Sequence, residues 1–398
     1  MTKLQNIIIK QKYAAKMQKD YPLIEKDAVV DKKLKLTEGD LLRLMDEQNK
    51  FIGIGYYGSQ NKGIGWVLSR KANEKINVAF FANKIETAIT HRKALFEDPE
   101  TTAFRVVNGE GDGLGGIIID YYDGYYVIQW YSEGIYSFRE DIIKALEQTV
   151  EYKGIYQKKR FDDKGKYIEE DDFVTGERGT FPLIIKENGV KFAVYLNDGA
   201  MTGIFLDQRE VRQAIRKRYS NGAEMLNTFS YTGAFSVNAA LGGARMTTSV
   251  DVANRSRAKT NEQFAVNNID YETQQIVVED VFQYFKYAAR KGRLFDLVVL
   301  DPPSFAKTKK RTFSAAKDYT ELLKETIAIT KDEGVIVAST NSSAFNMRRF
   351  KQFIQTACKE TQTSYSILEE YSLPSDFRTL RSFPEGDYLK VVFIRIKK

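Results

Sequence analysis

The segment that decides the fold is Leu297–Phe305, which reads LVVLDPPSF. Its apolar run predicts a strand that is buried on both faces of a sheet. Pro302 and Pro303 follow, and two successive prolines remove two backbone N–H donors and stiffen the chain. The strand therefore ends at the prolines. We expect Asp301 to be held at the carboxyl edge of the sheet.

The segments around this strand alternate between strand-like and helix-like patterns. Such alternation predicts an α/β fold with a parallel, doubly wound sheet of the Rossmann-like type. Helix-like segments separate the first six strand candidates. The predicted strands are Glu224–Asn227, Thr247–Asp251, Gln275–Asp280, Leu297–Asp301, Val335–Thr340, Tyr365–Glu369 and Tyr388–Ile396.

The residues before 191 lack this strand–helix alternation and divide into two further patterns. Three domains are therefore predicted, with bounds 1–72, 73–190 and 191–398. In the first, short apolar runs such as Phe51–Tyr57 lie between turns that contain Gly and Asn. These features predict a small β barrel at the N-terminal end.

The middle region predicts an α+β domain. Ile117–Asp120 and Tyr125–Tyr131 flank a Tyr-Asp-Gly turn, which is a hairpin signal. Ser137–Val150 has helical spacing. The charged run Lys158–Asp172 predicts an exposed loop.

A polar turn in Leu226–Phe235 (LNTFSYTGAF) joins an apolar strand to a helix of small residues. A turn at a helix N-terminus offers free backbone N–H groups to a ligand, and glycine lets the backbone approach closely. The motif is not G-x-G-x-x-G, so a dinucleotide pyrophosphate site is disfavoured. The candidate ligand-binding residues of this turn are Phe229, Ser230, Tyr231, Thr232 and Gly233.

Acids end the next two predicted strands. Asp251 occupies the position at which an acid holds a ribose hydroxyl pair. Asp280 suits a hydrogen bond to an adenine amine. Both acids also fit helix N-caps, so the sequence leaves two alternatives open for each.

Asp301 and Phe305 form a third candidate group, together with a basic run between Lys307 and Arg311. An acid can bind the edge of a base, and an aromatic ring can stack on a base that has left its helix. A surface turn would explain the two prolines, but not the acid, the aromatic ring and the basic run together. This group therefore favours chemistry on a nucleobase.

The composition excludes several kinds of site. The chain has one cysteine, Cys358, and one histidine, His91, so a disulfide and a Cys/His zinc site are excluded and no metal is expected. The N-terminus lacks a signal-peptide pattern, and no apolar run approaches the ~20 residues of a membrane span, which predicts a cytoplasmic protein. The net charge of +7 fits a polyanionic partner.

The motifs together resemble those of class I S-adenosylmethionine-dependent methyltransferases, and more narrowly the bacterial large-subunit (23S) rRNA methyltransferases of the RlmI and RlmK types. Residues up to about 72 resemble a PUA RNA-binding domain, and 108–120 (NGEGDGLGGIIID) resembles the start of that family's central domain. The motifs that carry the methyltransferase resemblance are LNTFSYTGAF, GGARMTTSVD at 242–251, EDVF at 279–282, LDPPSF at 300–305 and FPEGDYLK at 383–390.

The resemblance implies S-adenosylmethionine as cofactor and RNA as partner, either 23S rRNA or an assembling large ribosomal subunit. Thr202–Arg209 (TGIFLDQR) resembles the segment that closes over the cofactor in that family, which implies that Asp207 and Arg209 bind it. The resemblance also implies that Asp251, Asp280 and Asp301 bind the cofactor.

One position departs from the 5-methylcytosine members of the family. Such enzymes need a cysteine that attacks C6 of cytosine, because C5 is not nucleophilic until that adduct forms. Asn341 lies where that cysteine would align, in the stretch ASTNSSAFNM at 338–347, which resembles the RlmK type. Guanine N7 needs neither a nucleophile nor a strong base, only positioning. The predicted catalytic residues are Asp301, Pro302, Pro303, Phe305 and Asn341.

Alternatives stay open at this point. A 5-methylcytosine or exocyclic-amine target would keep the enzyme class. A non-catalytic RNA-binding protein would be expected to lack Asp251 or the Asp-Pro-Pro motif, and both are present. A nicotinamide-dependent oxidoreductase would require the G-x-G-x-x-G turn that this chain lacks. A homodimer is also left open.

Overall fold

The computed structural model describes residues 4–31, 33–60, 63–161, 167–168, 171–307 and 312–398. The chain forms two compact units, and each is made from several segments of the chain. The first unit comprises Met1–Ile185, Val194–Thr202 and Ser375–Gly386. The second unit comprises Lys186–Ala193, Gly203–Pro374 and Asp387–Lys398. The domain bounds predicted near residues 72 and 190 stay a prediction.

The N-terminal sheet of the first unit has five strands in the order β1-β3-β4-β5-β2. Strands β1 and β3 are parallel, and the other pairs are antiparallel. Lys10 N donates to Ala28 O and Val30 N to Ile8 O, which bonds the end of the edge strand β1 to the residues that follow the other edge strand, β2. The elements are β1 (Leu4–Ile9), α1 (Gln11–Met17), β2 (Leu23–Glu25), β3 (Leu41–Asp46), β4 (Phe51–Tyr57) and β5 (Gly63–Ser69).

A second five-stranded sheet of the first unit has the order β10-β9-β8-β7-β6. The predicted hairpin is confirmed as β7 and β8, with Asp123 and Gly124 at φ 47° and 95° in the turn. Helices α2 and α5 cover this sheet through an apolar core that includes Trp130 and Phe81. The elements are α2 (Val78–His91), α3 (Lys93–Phe96), β6 (Ala103–Asn108), β7 (Ile117–Tyr122), β8 (Tyr125–Trp130), α4 (Glu133–Tyr136), α5 (Arg139–Thr149), β9 (Gly154–Lys159) and β10 (Phe173–Gly176).

The charged run 158–172 is not simply an exposed loop, so that prediction was wrong at both ends. Lys158 and Asp172 are buried and form an ion pair of 2.8 Å. The Lys158 ammonium also donates to the carbonyl oxygen of Gly199 at 2.6 Å, and the Tyr167 hydroxyl donates to Asp172. A buried charge persists when it is paired and hydrogen-bonded, which this arrangement provides. Residues 162–166 and 169–170 of the run lie outside the described residues.

The segment Ser375–Gly386 belongs to the first unit, although it lies between two strands of the second unit in sequence. The buried Arg92 donates twice to the backbone carbonyl oxygen of Asp376, at 3.2 and 2.6 Å. The Asp376 carboxylate in turn accepts from the backbone N–H of Arg105 at 2.9 Å. These bonds hold the returning segment against α2 and β6.

The second unit contains the predicted α/β domain. Its seven strands have the order β15-β14-β13-β16-β19-β21-β20, and a hairpin of β11 and β12 with an Asn188-Gly189 turn precedes them. The elements are β11 (Leu183–Glu187), β12 (Val190–Val194), α6 (Arg209–Ala214), β13 (Glu224–Thr228), α7 (Ala234–Leu241), β14 (Met246–Asp251), α8 (Ser256–Ala265), β15 (Gln275–Val278), α9 (Val281–Arg290), β16 (Phe295–Leu300), β17 (Phe305–Lys307), β18 (Thr312–Ser314), α10 (Ala315–Ala328), β19 (Thr330–Thr340), α11 (Met347–Glu360), β20 (Ser364–Tyr371) and β21 (Lys390–Lys397).

Both faces of the seven-stranded sheet are buried, as the apolar runs predict. Along β16, Val298 and Leu300 pack in the core shared with α9, α10 and α11. Leu297 and Val299 point to the opposite core, which is shared with α6 and α7. This alternation confirms the doubly wound arrangement.

The last strand differs from the predicted all-parallel sheet. Strand β21 pairs antiparallel with both β19 and β20, whereas the pairs among β13, β14, β15, β16 and β19 are parallel. An antiparallel neighbour needs no helical crossover. The segment between β20 and β21 contains only a short 3-10 turn, Pro384–Gly386. In the described part of the chain, no helix is long and apolar enough to cross a membrane.

Candidate active site

The candidate site residues lie at one edge of the sheet, because parallel strands bring their carboxyl ends together. Strand β13 runs into the turn 229–233, β14 ends at Asp251, and Asp301 and Asn341 follow β16 and β19. Asp280 lies two residues beyond the end of β15. The predicted residues are therefore placed at the same edge of the second unit.

The turn after β13 has an unusual backbone. Phe229, Tyr231 and Gly233 have φ values of 52°, 53° and 81°, in the left-handed region that favours glycine. A Cβ at Gly233 would lie 2.5 Å from Cγ2 of Thr260, so this glycine is required by the packing of α8 as well as by its own φ. Two bulky residues in left-handed backbone mark strain of the kind that collects at functional sites.

Asp251 supports this turn directly. Its carboxylate accepts from the backbone N–H of Tyr231 at 2.9 Å and from that of Ala253 at 2.9 Å. Helix α8 begins at Ser256, with Arg255 as its N-cap residue, so Asp251 does not cap that helix. Each carboxylate oxygen retains lone pairs for a further donor.

Asp280 does cap a helix. Its Oδ1 accepts from the backbone N–H groups of Phe282 and Gln283, at 3.0 and 3.2 Å, at the start of α9. The N-cap alternative is therefore the observed one for this residue. Its Oδ2 makes no hydrogen bond within the described part of the chain, so the carboxylate can also accept from a ligand.

Asp301 is fixed by two side chains that the sequence did not single out. Ser339 Oγ donates to its Oδ1 at 2.7 Å, and Gln208 Nε2 contacts its Oδ2 at 3.3 Å. Burial raises the pKa of Asp301 to about 6, and the nearby Asp207 carboxylate raises it too, whereas Ser339 lowers it. The carboxyl group therefore changes charge close to neutral pH.

Gln208 connects the segment before α6 to this carboxylate. Its Nε2 also donates to Ser339 Oγ at 2.9 Å, while its Oε1 is buried and has no hydrogen-bond partner among the described residues. Beside it, Tyr388 donates to Asp207 Oδ2 at 2.9 Å. Arg209 is buried, with its Nε 3.5 Å from the carboxylate of Glu210. A buried acceptor without a donor is rare, so Gln208 indicates a place for a ligand.

The residues after the prolines form the outer part of the site. Pro302 is buried and Pro303 is exposed, while 62% of the Phe305 side chain is exposed. Phe305 begins the short strand β17, which pairs with β18. Ser304 Oγ donates to Asn341 Oδ1 at 2.6 Å, joining the segments after β16 and β19. Residues 308–311, with most of the basic run, lie outside the described residues.

In the remainder of the turn, Ser230 and Thr232 are buried. Thr232 Oγ1 donates to the carbonyl oxygen of Gly203 at 2.7 Å, which ties the turn to the start of the segment 203–209. Among the described residues, no group of three acids, histidines or cysteines could hold a metal ion.

Comparison with known proteins agrees with this architecture. A family model for S-adenosylmethionine-dependent methyltransferases matches residues 155–384, more than half of the chain, and one for PUA-like domains matches residues 7–70. The solved structure of SMU.776, provisionally named a methyltransferase and bound to SAH, is similar at 36% identity with a TM-score of 0.90. It covers 98% of this chain and 99% of its own.

Two relatives narrow the class. A Bacillus subtilis protein, provisionally named ribosomal RNA large subunit methyltransferase YwbD, is 62% identical over 98% of this chain and 99% of its own. Ribosomal RNA large subunit methyltransferase I of Alteromonas mediterranea is 31% identical over 96% of this chain and 97% of its own. The chain belongs to the S-adenosylmethionine-dependent methyltransferases, in the PUA-containing family that includes ribosomal RNA large subunit methyltransferase I. It is an enzyme that uses S-adenosylmethionine.

Proposed function

We propose that this enzyme methylates large-subunit ribosomal RNA and that its target atom is N7 of a guanine. The names of the two relatives support the RNA class. The target atom is supported by the orientation of Asn341 and by the position of Cys358.

The cofactor fits the carboxyl edge of β13–β16. S-adenosylmethionine has an ammonium group, which suits the buried unpaired Oε1 of Gln208. Its ribose hydroxyls suit Asp251, which retains lone pairs beside the strained turn, and its adenine amine suits Asp280 Oδ2. Asp207, Arg209 and the turn residues complete the proposed cofactor-binding set. When bound, S-adenosylmethionine supplies an electrophilic methyl group.

Cys358 does not suit a covalent mechanism. It lies in α11 within the apolar core of the sheet, with 1% of its surface exposed. Burial raises the pKa of its thiol to about 11, so the nucleophilic thiolate is disfavoured. Because it is the one cysteine of the chain, no other thiol could attack C6 of cytosine. This argues against a 5-methylcytosine product.

The hydrogen bond from Ser304 orients the amide of Asn341. With Oδ1 already accepting from the serine hydroxyl, the amide turns its Nδ2 donor away from Ser304. On the edge of a purine that carries N7, guanine presents the acceptor O6, whereas adenine presents an amine donor. A fixed amide donor therefore suits guanine O6 and leaves adenine without a partner. Ser304 thereby acts as a positioning residue for base selection.

The remaining groups position the base and do not move protons. Guanine N7 carries a lone pair in the ring plane at neutral pH, so its methylation requires no general base. The Asp301 carboxylate can accept from a guanine N–H, and the exposed Phe305 ring can stack on the base. Pro302 and Pro303 hold both groups on a stiff turn. Catalysis would therefore come mainly from alignment of reacting atoms.

The decisive experiment is transfer of labelled methyl groups to rRNA from cells that lack this protein, followed by digestion and separation of the nucleosides. We expect the label in 7-methylguanosine. Label in 5-methylcytidine or in a nucleoside with a methylated exocyclic amine would overturn the target atom and keep the rRNA class. An absence of label with both free rRNA and assembling large subunits would overturn the proposed substrate and leave the class of enzyme unchanged. A homodimer stays a prediction, which light scattering of the full chain can test.

Replacement of Cys358 by alanine is expected to leave the methyl-transfer rate within about twofold of the wild type. The thiol lies in the core, so the change removes one buried sulfur and costs roughly 1 kcal/mol of stability. Initial rates with rRNA at a temperature below the unfolding transition measure this. A rate loss of 100-fold or more in a folded variant would restore the cysteine mechanism.

Replacement of Asp251 by alanine is expected to weaken S-adenosylmethionine binding by about tenfold to 100-fold. The change removes the ribose acceptor and the bond that holds Tyr231 N, and each hydrogen bond to a charged group is worth roughly 1.5–3 kcal/mol. Calorimetric titration with S-adenosylmethionine and with its demethylated product measures the loss. Asp270→Ala, at an exposed acid outside the site, is the matched control and should bind as the wild type does. Equal affinities in both variants would contradict the proposed role.

A further inference from the structure

The first unit contains a cavity that lies outside the candidate active site. Its volume is about 940 Å³, and all of its lining belongs to that unit. It is lined by the end of β5 and the residues after it, by α2, by the turn 110–113, and by Arg378 and Leu380 of the returning segment. Neither the methyltransferase chemistry nor the comparisons account for it.

The cations of this cavity are Arg70, Lys71, Lys75, Lys84 and Arg378. Lys75 and Lys84 make no hydrogen bond or ion pair within the described part of the chain. The Arg378 guanidinium contacts the ring of His91 at 2.8 Å and carries a positive charge with no carboxylate partner among the described residues. Three cationic groups are therefore available to an anion from outside.

The acids that line the same cavity are already engaged. Asp112 accepts two bonds of 2.7 Å from Arg92, and Glu74 accepts from Ser69 and lies 3.9 Å from Lys71. Burial raises the pKa of Glu110 to about 7, which weakens its negative charge at neutral pH. Asp20 lies near Arg70 and offsets part of that charge. Within the described part of the chain these acids form no ion pair with Lys75, Lys84 or Arg378, although Glu74 and Asp112 lie near enough to Lys84 to offset part of its charge.

Lys84 is the central group. It is half-buried, with its ammonium 5.7 Å from the centre of the Phe80 ring and 2.7 Å from where a Cβ at Gly113 would lie. Burial lowers the pKa of Lys84 because its charge is partly removed from water, and the nearby Glu74 and Asp112 offset only part of that effect. Gly113 has no side chain, which leaves room for the Lys84 ammonium. An anion in the cavity would stabilise the charge of that ammonium.

The lining suits a nucleic-acid backbone better than a base. Among its described lining residues the only aromatic side chain is Phe80, which is 7% exposed and already packed against Phe81. A base-binding groove offers exposed aromatic rings for stacking, and this one does not. Amide and ammonium donors such as Asn73, Asn83 and Lys84 are instead the groups that bind phosphate oxygens and ribose.

We infer that this cavity is a second RNA site, in which Lys75, Lys84 and Arg378 bind phosphodiester groups of the substrate away from the methylated base. The inference rests on the proposed function for its choice of RNA as the polyanion. Contacts to phosphates position an RNA without reading its sequence. The site would hold a segment of the rRNA while the target base is in the active site of the same chain.

The test compares RNA binding of Lys75→Gln/Lys84→Gln with that of Lys93→Gln/Lys144→Gln, which removes two lysines from α3 and α5 outside the cavity. Affinity for an rRNA fragment is measured over a range of salt concentrations. Each phosphate contact that is lost should reduce the magnitude of the slope of log K against log salt by about 0.7–0.9. We expect the cavity variant to lose about one to two such contacts, with a dissociation constant raised about tenfold. The control variant should change much less.

Glutamine keeps these positions polar, and removal of a half-buried charge should not unfold the protein. Arg378→Gln, at an exposed side chain, is a second variant in case Lys84→Gln fails to fold. If the wild type methylates rRNA and the cavity and control variants bind it equally, the second site is overturned and the proposed function stands. If only the cavity variants lose salt-dependent binding but no methylated nucleoside forms, the site stands and the proposed function is overturned. Tight binding of inorganic phosphate or a free nucleotide, with RNA binding unchanged, would also overturn the RNA site.

Discussion

Replacement of Asp301 by alanine is expected to lower the maximal rate of methyl transfer by roughly 100-fold, with a smaller effect on cofactor affinity. Ser339 and Gln208 hold this carboxylate at the end of β16, where it is placed to align the base. A misplacement of about 1 Å at such a site costs a factor of this size. Single-turnover rates with saturating cofactor measure the loss.

The pH dependence gives a sharper form of the same prediction. The ionised carboxylate is a much stronger acceptor than the protonated acid, which also presents an O–H donor, and the pKa of Asp301, about 6, lies above the ordinary value for aspartate. Activity should therefore be full above this pH and fall as the pH drops through about 6. In Asp301→Asn the acid limb should disappear while the rate stays low. An unchanged limb in that variant would assign the titration to another group.

Asp296→Ala is the matched control for Asp301. It removes a carboxylate from the amino-terminal part of the same strand, where Asp296 pairs with Lys331 at 2.9 Å. This position is at the opposite edge of the sheet from the candidate site. We expect some loss of stability and a rate within about twofold of the wild type, since surface ion pairs contribute roughly 0–1 kcal/mol. A comparable rate loss in both variants would indicate a structural effect.

Replacement of Arg92 by methionine is expected to destabilise the first unit by roughly 3–5 kcal/mol. The guanidinium is 2% exposed and donates to both Asp112 oxygens, to the Asp376 carbonyl and to the Ala88 carbonyl. The variant would leave the Asp112 carboxylate buried without its cation. Both tryptophans, Trp66 and Trp130, belong to the first unit, so urea unfolding followed by tryptophan fluorescence reports on this unit alone.

Two further variants control this experiment. Lys93→Met changes the neighbouring exposed cation and should alter stability by no more than about 0.5 kcal/mol. Arg92→Met/Asp112→Leu removes both charges and should recover part of the loss, because no carboxylate stays unpaired. If the double variant is no more stable than Arg92→Met alone, the unpaired carboxylate of Asp112 does not explain the destabilisation.

The sheet of the second unit could be predicted because its strands are short apolar runs that end at recognisable residues. Leu297–Asp301 was predicted and Phe295–Leu300 is observed, since Pro302 and Pro303 fix where the strand ends. The direction of β21 could not be predicted from periodicity, because an apolar strand has the same pattern in both directions. The helix-free connection before β21 was the available signal, since parallel strands need a crossover.

The sequence gives little indication of which charged side chains are buried. Lys158 lies in a run of charged residues, which usually indicates solvent exposure, but Asp172, Tyr167 and Gly199 enclose it. Pairing over such separations is a property of the folded chain and leaves no local pattern. The same holds for Ser304, whose bond to Asn341 joins residues 37 positions apart.

The predicted site residues are brought to one edge of the sheet, but their immediate partners were missed. Gln208 and Ser339 hold Asp301, although neither was singled out. Gln208 lies within TGIFLDQR, in which the sequence resemblance implied roles only for the charged residues on each side, Asp207 and Arg209. Gly233 was predicted for ligand approach, and the structure places Thr260 against it. The roles of the site residues stay predictions until the variants are measured.

The returning segment Ser375–Gly386 has a consequence for the order in which the protein is made. Arg92 and its carbonyl acceptor on Asp376 are 284 residues apart, so the acceptor is synthesised long after Arg92. Until then the first unit lacks the bonds from the Arg92 guanidinium to the Asp376 carbonyl oxygen and from the Arg105 backbone N–H to the Asp376 carboxylate. A product that ends before Asp376 would therefore lack these bonds and be more exposed to proteolysis, although Arg92 would keep its ion pair with Asp112. The first unit reaches its full stability only after the segment Ser375–Gly386 has been made.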